Sequence, residues 1–223
     1  MTKYIGTYGE KNLHRELKWY LEPTGACHEA PVGKYIADIK TEAGITEIQT
    51  QSFYKLRNKL TEFLSDNTVI LVYPLAHEKL IQVVDMESGE ILRTRRSPRK
   101  GSFYDAFREI YQIKNYLKDV NLILRLILID VTERRSENAG RWKRYKKIDT
   151  AINSFYDEII ICGVKDYAKL IPPALGGRFT SAAYADAAGI NLRNAQTALN
   201  VLTHVGAVTR VGKQRNNWLY EKS

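Results

Sequence analysis

Apolar residues recur at two spacings along the chain, and the switches between them mark out its elements. From Lys11 to Leu21 they fall at Leu13, Leu17, Tyr20 and Leu21, the spacing of one helix face, and Pro23 stops the run. Lys34–Lys40 and Ile45–Gln51 read as two strands around the turn Thr41-Glu42-Ala43-Gly44. Phe53, Leu56, Leu60, Phe63 and Leu64 form the apolar face of a second helix, with Ser52 as its expected N-cap. Thr68–Tyr73 and Leu122–Val131 are apolar throughout, as in strands covered on both faces. A hairpin is expected from Leu80–Met86 and Ile91–Thr94 around Ser88-Gly89, a helix over Tyr104–Leu117, and a further strand over Lys143–Thr150. The order predicts an α/β protein with helices packed on a small mixed sheet.

The pattern changes after Pro172-Pro173 and Gly176-Gly177, where the chain becomes rich in Ala, Asn and Thr. This places a domain break in the 150s, giving residues 1–155 and 156–223, with a short helix at about 164–171 leading into the second part. There, Thr180 or Ser181 caps a helix through Ala188, Gly189-Ile190 turns, and Asn191 caps a second helix to about His204, ended by Gly206. Val208–Val211 and Trp218–Tyr220 then form a hairpin around residues 212–217. The pattern resembles winged helix-turn-helix DNA-binding domains. In such modules the second helix enters the major groove and the wing lies on the backbone. Arg193, Asn194 and Thr197 lie off the buried stripe of that helix, and Arg210, Lys213 and Arg215 lie near the wing tip.

The chemistry concentrates in the first hairpin. Pairing it about the Glu42/Ala43 bond sets Lys40 opposite Ile45, Asp38 opposite Glu47 and Ile36 opposite Gln49. Alternation then puts Asp38, Lys40, Glu47 and Gln49 on one face and Ala37, Ile39 and Ile48 on the other, with the core. Two carboxylates directly opposed repel each other, and a divalent cation between them removes the repulsion. Mg²⁺ takes one or two carboxylates and keeps waters and phosphate oxygens as its other ligands. Glu10 and His14, four apart, share a face of the preceding helix if it begins by Glu10. Glu10 is a candidate further ligand, and His14 a candidate for orienting phosphate or moving a proton.

These residues, in this order, resemble the core of the PD-(D/E)XK nuclease-like superfamily: a helix with Glu10, a strand with Asp38, a hairpin, Glu47-Ile48-Gln49, a helix and a buried strand. The strings Leu13-His14, Ile45 to Thr50, Ser52-Phe53, Leu56 to Leu60 and Arg96 to Gly101 are similar to a prokaryotic family that joins such a core to a C-terminal winged helix. The resemblance implies a restriction-endonuclease-like mixed sheet flanked by helices, with a small winged-helix domain after it. It also implies metal-dependent cutting of DNA, with Asp38, Glu47 and Glu10 holding Mg²⁺ or Mn²⁺, and Asp38, Glu47, Gln49, Lys40 and His14 carrying the reaction. Gln49 departs from the superfamily, which most often has lysine there. An amide orients water but adds no positive charge. A catalytically inactive nuclease fold that binds DNA, as a regulator or a repair-recruitment factor, is therefore the alternative. Nucleases of this type often act in pairs, so a homodimer is one expected arrangement.

Charge agrees with such a partner. The chain has 223 residues, with 34 Lys and Arg against 25 Asp and Glu, a net +9 that suits a polyanion. Arg95, Arg96, Arg99 and Lys100 fall in a segment, Arg93–Lys100, that contains no acid and is expected to be a phosphate-contacting loop; Arg134–Lys147 is a second basic segment. Cys27 and Cys162 are far apart and not in CxxC spacing, as in a reducing compartment. With no apolar leader in the first residues and no run long enough to span a bilayer, the expected location is the cytoplasm, away from membranes.

Overall fold

The computed structural model describes residues 11–137 and 145–223. Helix α1 (Lys11–Leu21) leads into strands β1 (His28–Val32), β2 (Tyr35–Thr41) and β3 (Gly44–Ile48). A 3₁₀ turn (Phe53–Leu56) and helix α2 (Arg57–Leu64) follow, then β4 (Val69–Val84) and β5 (Ile91–Arg96). A 3₁₀ turn (Phe103–Ala106), the single α-turn α3 (Phe107–Ile110) and more 3₁₀ helix (Tyr111–Tyr116) lead to β6 (Leu122–Ser136) and β7 (Lys146–Ile161). After a 3₁₀ segment (Val164–Leu170) come α4 (Ser181–Ala188), α5 (Leu192–Val205), β8 (Val208–Gln214) and β9 (Asn217–Lys222).

The main sheet is mixed, in the order β1-β2-β3-β4-β6-β7, with β3/β4 and β4/β6 parallel and β5 antiparallel to the far half of β4. Helices cover both faces. Leu13 and Leu17 of α1 pack on Ile48, Val72, Ile127, Ile129 and Val131. On the other face Phe53, Leu60, Phe63, Phe107 and Ile110 pack on Leu71 and Leu124. That core continues into the C-terminal part through Tyr167, Tyr184, Ala195, Leu199 and Leu202. The α5 helix lies against residues 107–116, where the Lys114 ammonium donates to Asn200 at 3.2 Å. A phenol joins the parts as well, Tyr167 donating to the Leu117 carbonyl, while Tyr184 donates to the Leu170 carbonyl within the C-terminal part.

Several elements differ from the sequence expectation. Thr68–Tyr73 and Leu80–Met86 are two ends of one strand, β4, which continues through an irregularity between Ala76 and Lys79. A carboxylate holds that irregular point: Asp130 of β6 accepts from His77 Nδ1 at 3.0 Å, the Glu78 N–H at 2.9 Å and the Ser154 hydroxyl at 3.0 Å. Arg93, Arg95 and Arg96 belong to strand β5 rather than to a loop. Tyr104–Leu117 is broken into short turns, with Ile113 out of helical conformation. Ser52 adopts φ 61° and its side chain caps nothing; the Phe53 N–H is instead satisfied by Glu109, at 2.9 Å. The expected domain break at 155 falls inside β7, which runs to Ile161. The C-terminal expectations fare better: Thr180 and Asn191 cap α4 and α5, and Gly206 ends α5 with φ 82°.

Candidate functional site

In the first hairpin the ladder pairs Thr41 with Gly44, Lys40 with Ile45 and Ile39 with Thr46, the expected register. It stops there: β3 lies between β2 and β4, and beyond Thr46 it parts from β2 while staying parallel with β4, where Glu47 pairs with Leu71. The two acids fill the gap. The Asp38 N–H donates to Glu47 Oε1 at 3.1 Å, and the Ile48 N–H donates to Asp38 Oδ2 at 2.8 Å. Each carboxylate therefore replaces a backbone acceptor that the parted strands no longer provide, so both are fixed by the main chain.

The helices on either side complete the arrangement. From α1, His14 Nε2 lies 3.0 Å from Asp38 Oδ2. From α2, Lys59 donates to Glu47 Oε2 at 2.6 Å. Asp38 and Glu47 were expected to share a solvent-facing side of the hairpin. Instead they are reached from opposite faces of a sheet covered on both, and Glu47 is only 3% exposed. Burial pushes the Glu47 carboxyl up, the nearby Asp38 charge adds to this, and Lys59 opposes both, leaving it at about 7. Burial also works against ionisation of Asp38, but His14, the Ile48 N–H and the Lys59 charge outweigh it and hold Asp38 below the usual carboxylate range. One acid is thus a fixed anion while its neighbour is poised between states, a division of labour found in acid–base sites.

A cleft of about 730 Å³ opens over the pair, and His14, Gln49, Lys55 and Lys59 also line it. Gln49 is placed as expected, but its amide nitrogen donates back to the Gln51 carbonyl. Lys40 is exposed, faces Ile45 in the ladder and does not line the cleft, which corrects its expected role. Glu10 lies outside the described residues. The site cation is Lys59, which the apolar pattern passes over because it sits beside the buried stripe, between Leu56 and Leu60; that adjacency is the signal that could have found it. Among the described residues no three His, Cys, Asp or Glu side chains gather as a metal-ligating set. The two carboxylates still suit a hard divalent ion, which needs only one or two protein carboxylates and keeps its waters.

The expected DNA-contacting residues divide into two groups. Arg95 is exposed on β5, opposite Ile81. Arg96 approaches Glu78 at 4.0 Å, Lys100 pairs with Glu78 at 2.5 Å, and Arg99 pairs with Asp105. In α5, Arg193 is exposed, whereas Asn194 and Thr197 are half-buried. Asn194 lines a cleft with Arg99 and Arg108, and the Thr197 hydroxyl donates to the Arg193 carbonyl. Because α5 is docked on residues 107–116, its expected free recognition face is partly occupied. The β8–β9 hairpin is open: Arg210 lies 5.0 Å over the Trp218 ring, Lys213 lies 4.4 Å over it, and Arg215 holds φ 55° at the tip.

The sheet and both of its helical covers up to the end of β7 coincide with one family model, the domain of unknown function DUF8091, which matches residues 11–162. The chain belongs to the DUF8091 family. The family segment contains Asp38, Glu47, Gln49, His14 and Lys59, and ends one residue after β7. An uncharacterised protein of Treponema pallidum (strain Nichols) is 33% identical over 144 residues, covering 64% of this chain and 57% of the relative. This chain thus spans a little over half the length of that relative. No solved structure matches. Among the described residues no helix is long and apolar enough to cross a membrane.

Proposed function

We propose that this protein is a metal-dependent DNA endonuclease whose DUF8091 segment is a PD-(D/E)XK-like core and whose residues 179–222 form a winged helix that helps seat it on DNA. The observation that carries this reading is the pair Asp38 and Glu47, held by backbone N–H groups in the gap between parted strands, beneath an open cleft. Mg²⁺ or Mn²⁺ bound there supplies a Lewis acid for phosphodiester hydrolysis. Asp38 and Glu47 would hold the ion and Gln49 would orient water. His14 keeps Asp38 aimed and ionised. Lys59 supplies the positive charge that an amide at position 49 lacks. The exposed Arg95 and the basic wing suit phosphate contact.

The test is incubation of the protein with supercoiled plasmid in Mg²⁺ or Mn²⁺, with EDTA as control. Nicked or linear product is expected with metal alone; intact plasmid under every condition overturns the reading. Lys59→Met is expected to slow cutting about 100-fold, the usual weight of one charged group at a developing phosphoryl charge, measured as single-turnover rate.

A second reading, a DNA-binding protein with a retired core, has its own support. His14 and Lys59 already occupy both acids, and the Gln49 amide is turned to Gln51. Such a protein would serve as a transcriptional regulator or a recruitment factor, and its DNA affinity would not respond to Mg²⁺.

A further inference from the structure

A second cleft, of about 340 Å³, continues the first: Thr50 and Gln51 line both. It runs over the α1 face of the sheet to Lys79 of β4 and to Lys147 and Thr150 of β7. Three cations gather at this end on one buried carboxylate, Glu133, which is 6% exposed. Lys79 approaches it at 3.3 Å and Arg135 at 2.5 Å, and Lys147, opposite Arg135 across the ladder, adds its charge. Of the charged residues that line the cleft, Lys79 and Lys147 outnumber Glu133, and the neighbouring buried acid, Asp149, faces Arg134 at 4.0 Å, so the wall is left net positive.

A second, independent feature lies in the same wall. Thr150 is 3% exposed, and its hydroxyl oxygen is buried with no hydrogen-bond partner in the protein. A buried hydroxyl without a partner is destabilising, so folding alone gives no reason for this one. A phosphate entering the cleft would meet surplus positive charge together with a donor that has nothing else to bond.

The geometry points to a phosphate subsite at Lys79, Lys147 and Thr150, which holds a DNA backbone phosphate beside the one placed over Asp38 and Glu47. The inference rests on the nuclease reading for its placement, but it concerns binding and needs no metal. Because the two clefts share Thr50 and Gln51, a strand over the acid pair can continue directly into this one.

The test is fluorescence anisotropy of a labelled 20-base-pair duplex in EDTA, over a salt series, with wild type, Lys79→Gln/Lys147→Gln and Thr150→Val. The double variant is expected to bind about tenfold more weakly, with a salt slope lower by about two, one for each phosphate-contacting lysine. Thr150→Val is expected to bind about threefold more weakly while its melting temperature stays level or rises, which a purely structural threonine would not do. Unchanged affinity and slope in both variants, or no binding by wild type, overturn the subsite. Plasmid cutting by wild type, run in parallel, separates the two ideas. Binding losses without cutting sink the nuclease reading alone, and cutting with unchanged binding sinks the subsite alone.

Discussion

Glu47→Gln is expected to abolish metal-dependent cutting and, at the same time, to flatten the pH dependence of stability. On the first count, the amide removes one of the two carboxylates proposed to hold the ion. Loss of several kcal/mol of charge stabilisation corresponds to at least about 10³-fold in rate. On the second, the carboxyl sits at about 7 in the fold against an ordinary 4.5. A folded-state value above the unfolded one means that the folded chain binds the extra proton. That contribution is complete below pH 4.5 and is lost as pH rises through 7. Ionising Glu47 in the fold therefore costs about 3 kcal/mol. Urea unfolding in EDTA should show wild type losing about that much between pH 4.5 and 8, with Glu47→Gln losing far less. The comparison is between slopes, because any constant offset from the substitution drops out of it. In wild type, added Mg²⁺ should restore the loss above pH 7; equal slopes for the two proteins would remove the basis for a poised acid.

Gly44→Ala is expected to cost about 3 kcal/mol or more and to leave little folded protein. Gly44 closes the first hairpin at φ +132°, a conformation that side chains rarely adopt, and a methyl group there would stand 2.3 Å from the Thr68 carbonyl oxygen. That oxygen accepts the Ile45 N–H at 2.9 Å, the first bond tying β3 to β4. Neither the turn nor the strand can retreat without breaking the parting that fixes Asp38 and Glu47. Circular dichroism and thermal melting should show the loss, and a soluble variant with wild-type melting would contradict the described backbone.

How much of this was readable in advance follows from what each feature depends on. The hairpin register is legible because turn length and alternation are local, and Lys40 does pair with Ile45. The two-sided burial of β4 and β6 is legible in their unbroken apolar runs. The break in the ladder at Asp38 is not, since nothing local marks where β2 parts from β3 while β3 stays paired with β4, a contact across more than 20 residues of sequence. For the same reason alternation assigned the wrong surroundings to Glu47, and Lys40 looked nearer the site than Lys59. The continuity of β4 was hidden because His77, Glu78 and Lys79 interrupt the apolar pattern where Asp130 bonds the strand's irregular point. The apolar face of α5 is legible as a stripe at Ala195, Leu199 and Leu202, but that it packs against Phe107, Ile110 and Ile113 of the first part is not, since periodicity shows a buried face and not its partner.

Strand β4 also sets a length. Glu47 lies beside Leu71, and Arg95 lies beside Ile81 on the same edge of the strand. Because β4 carries an extra residue between Ala76 and Lys79, these places match Leu124 and Glu133 of β6, so nine residues at about 3.3 Å each separate the acid pair from the arginine edge by about 30 Å. One turn of B-form DNA is about 34 Å. A duplex that reached both places, as the proposed function requires, would therefore meet them a little under one helical turn apart. On that proposal, protection from cleavage reagents should show two patches on the duplex spaced by somewhat less than one turn.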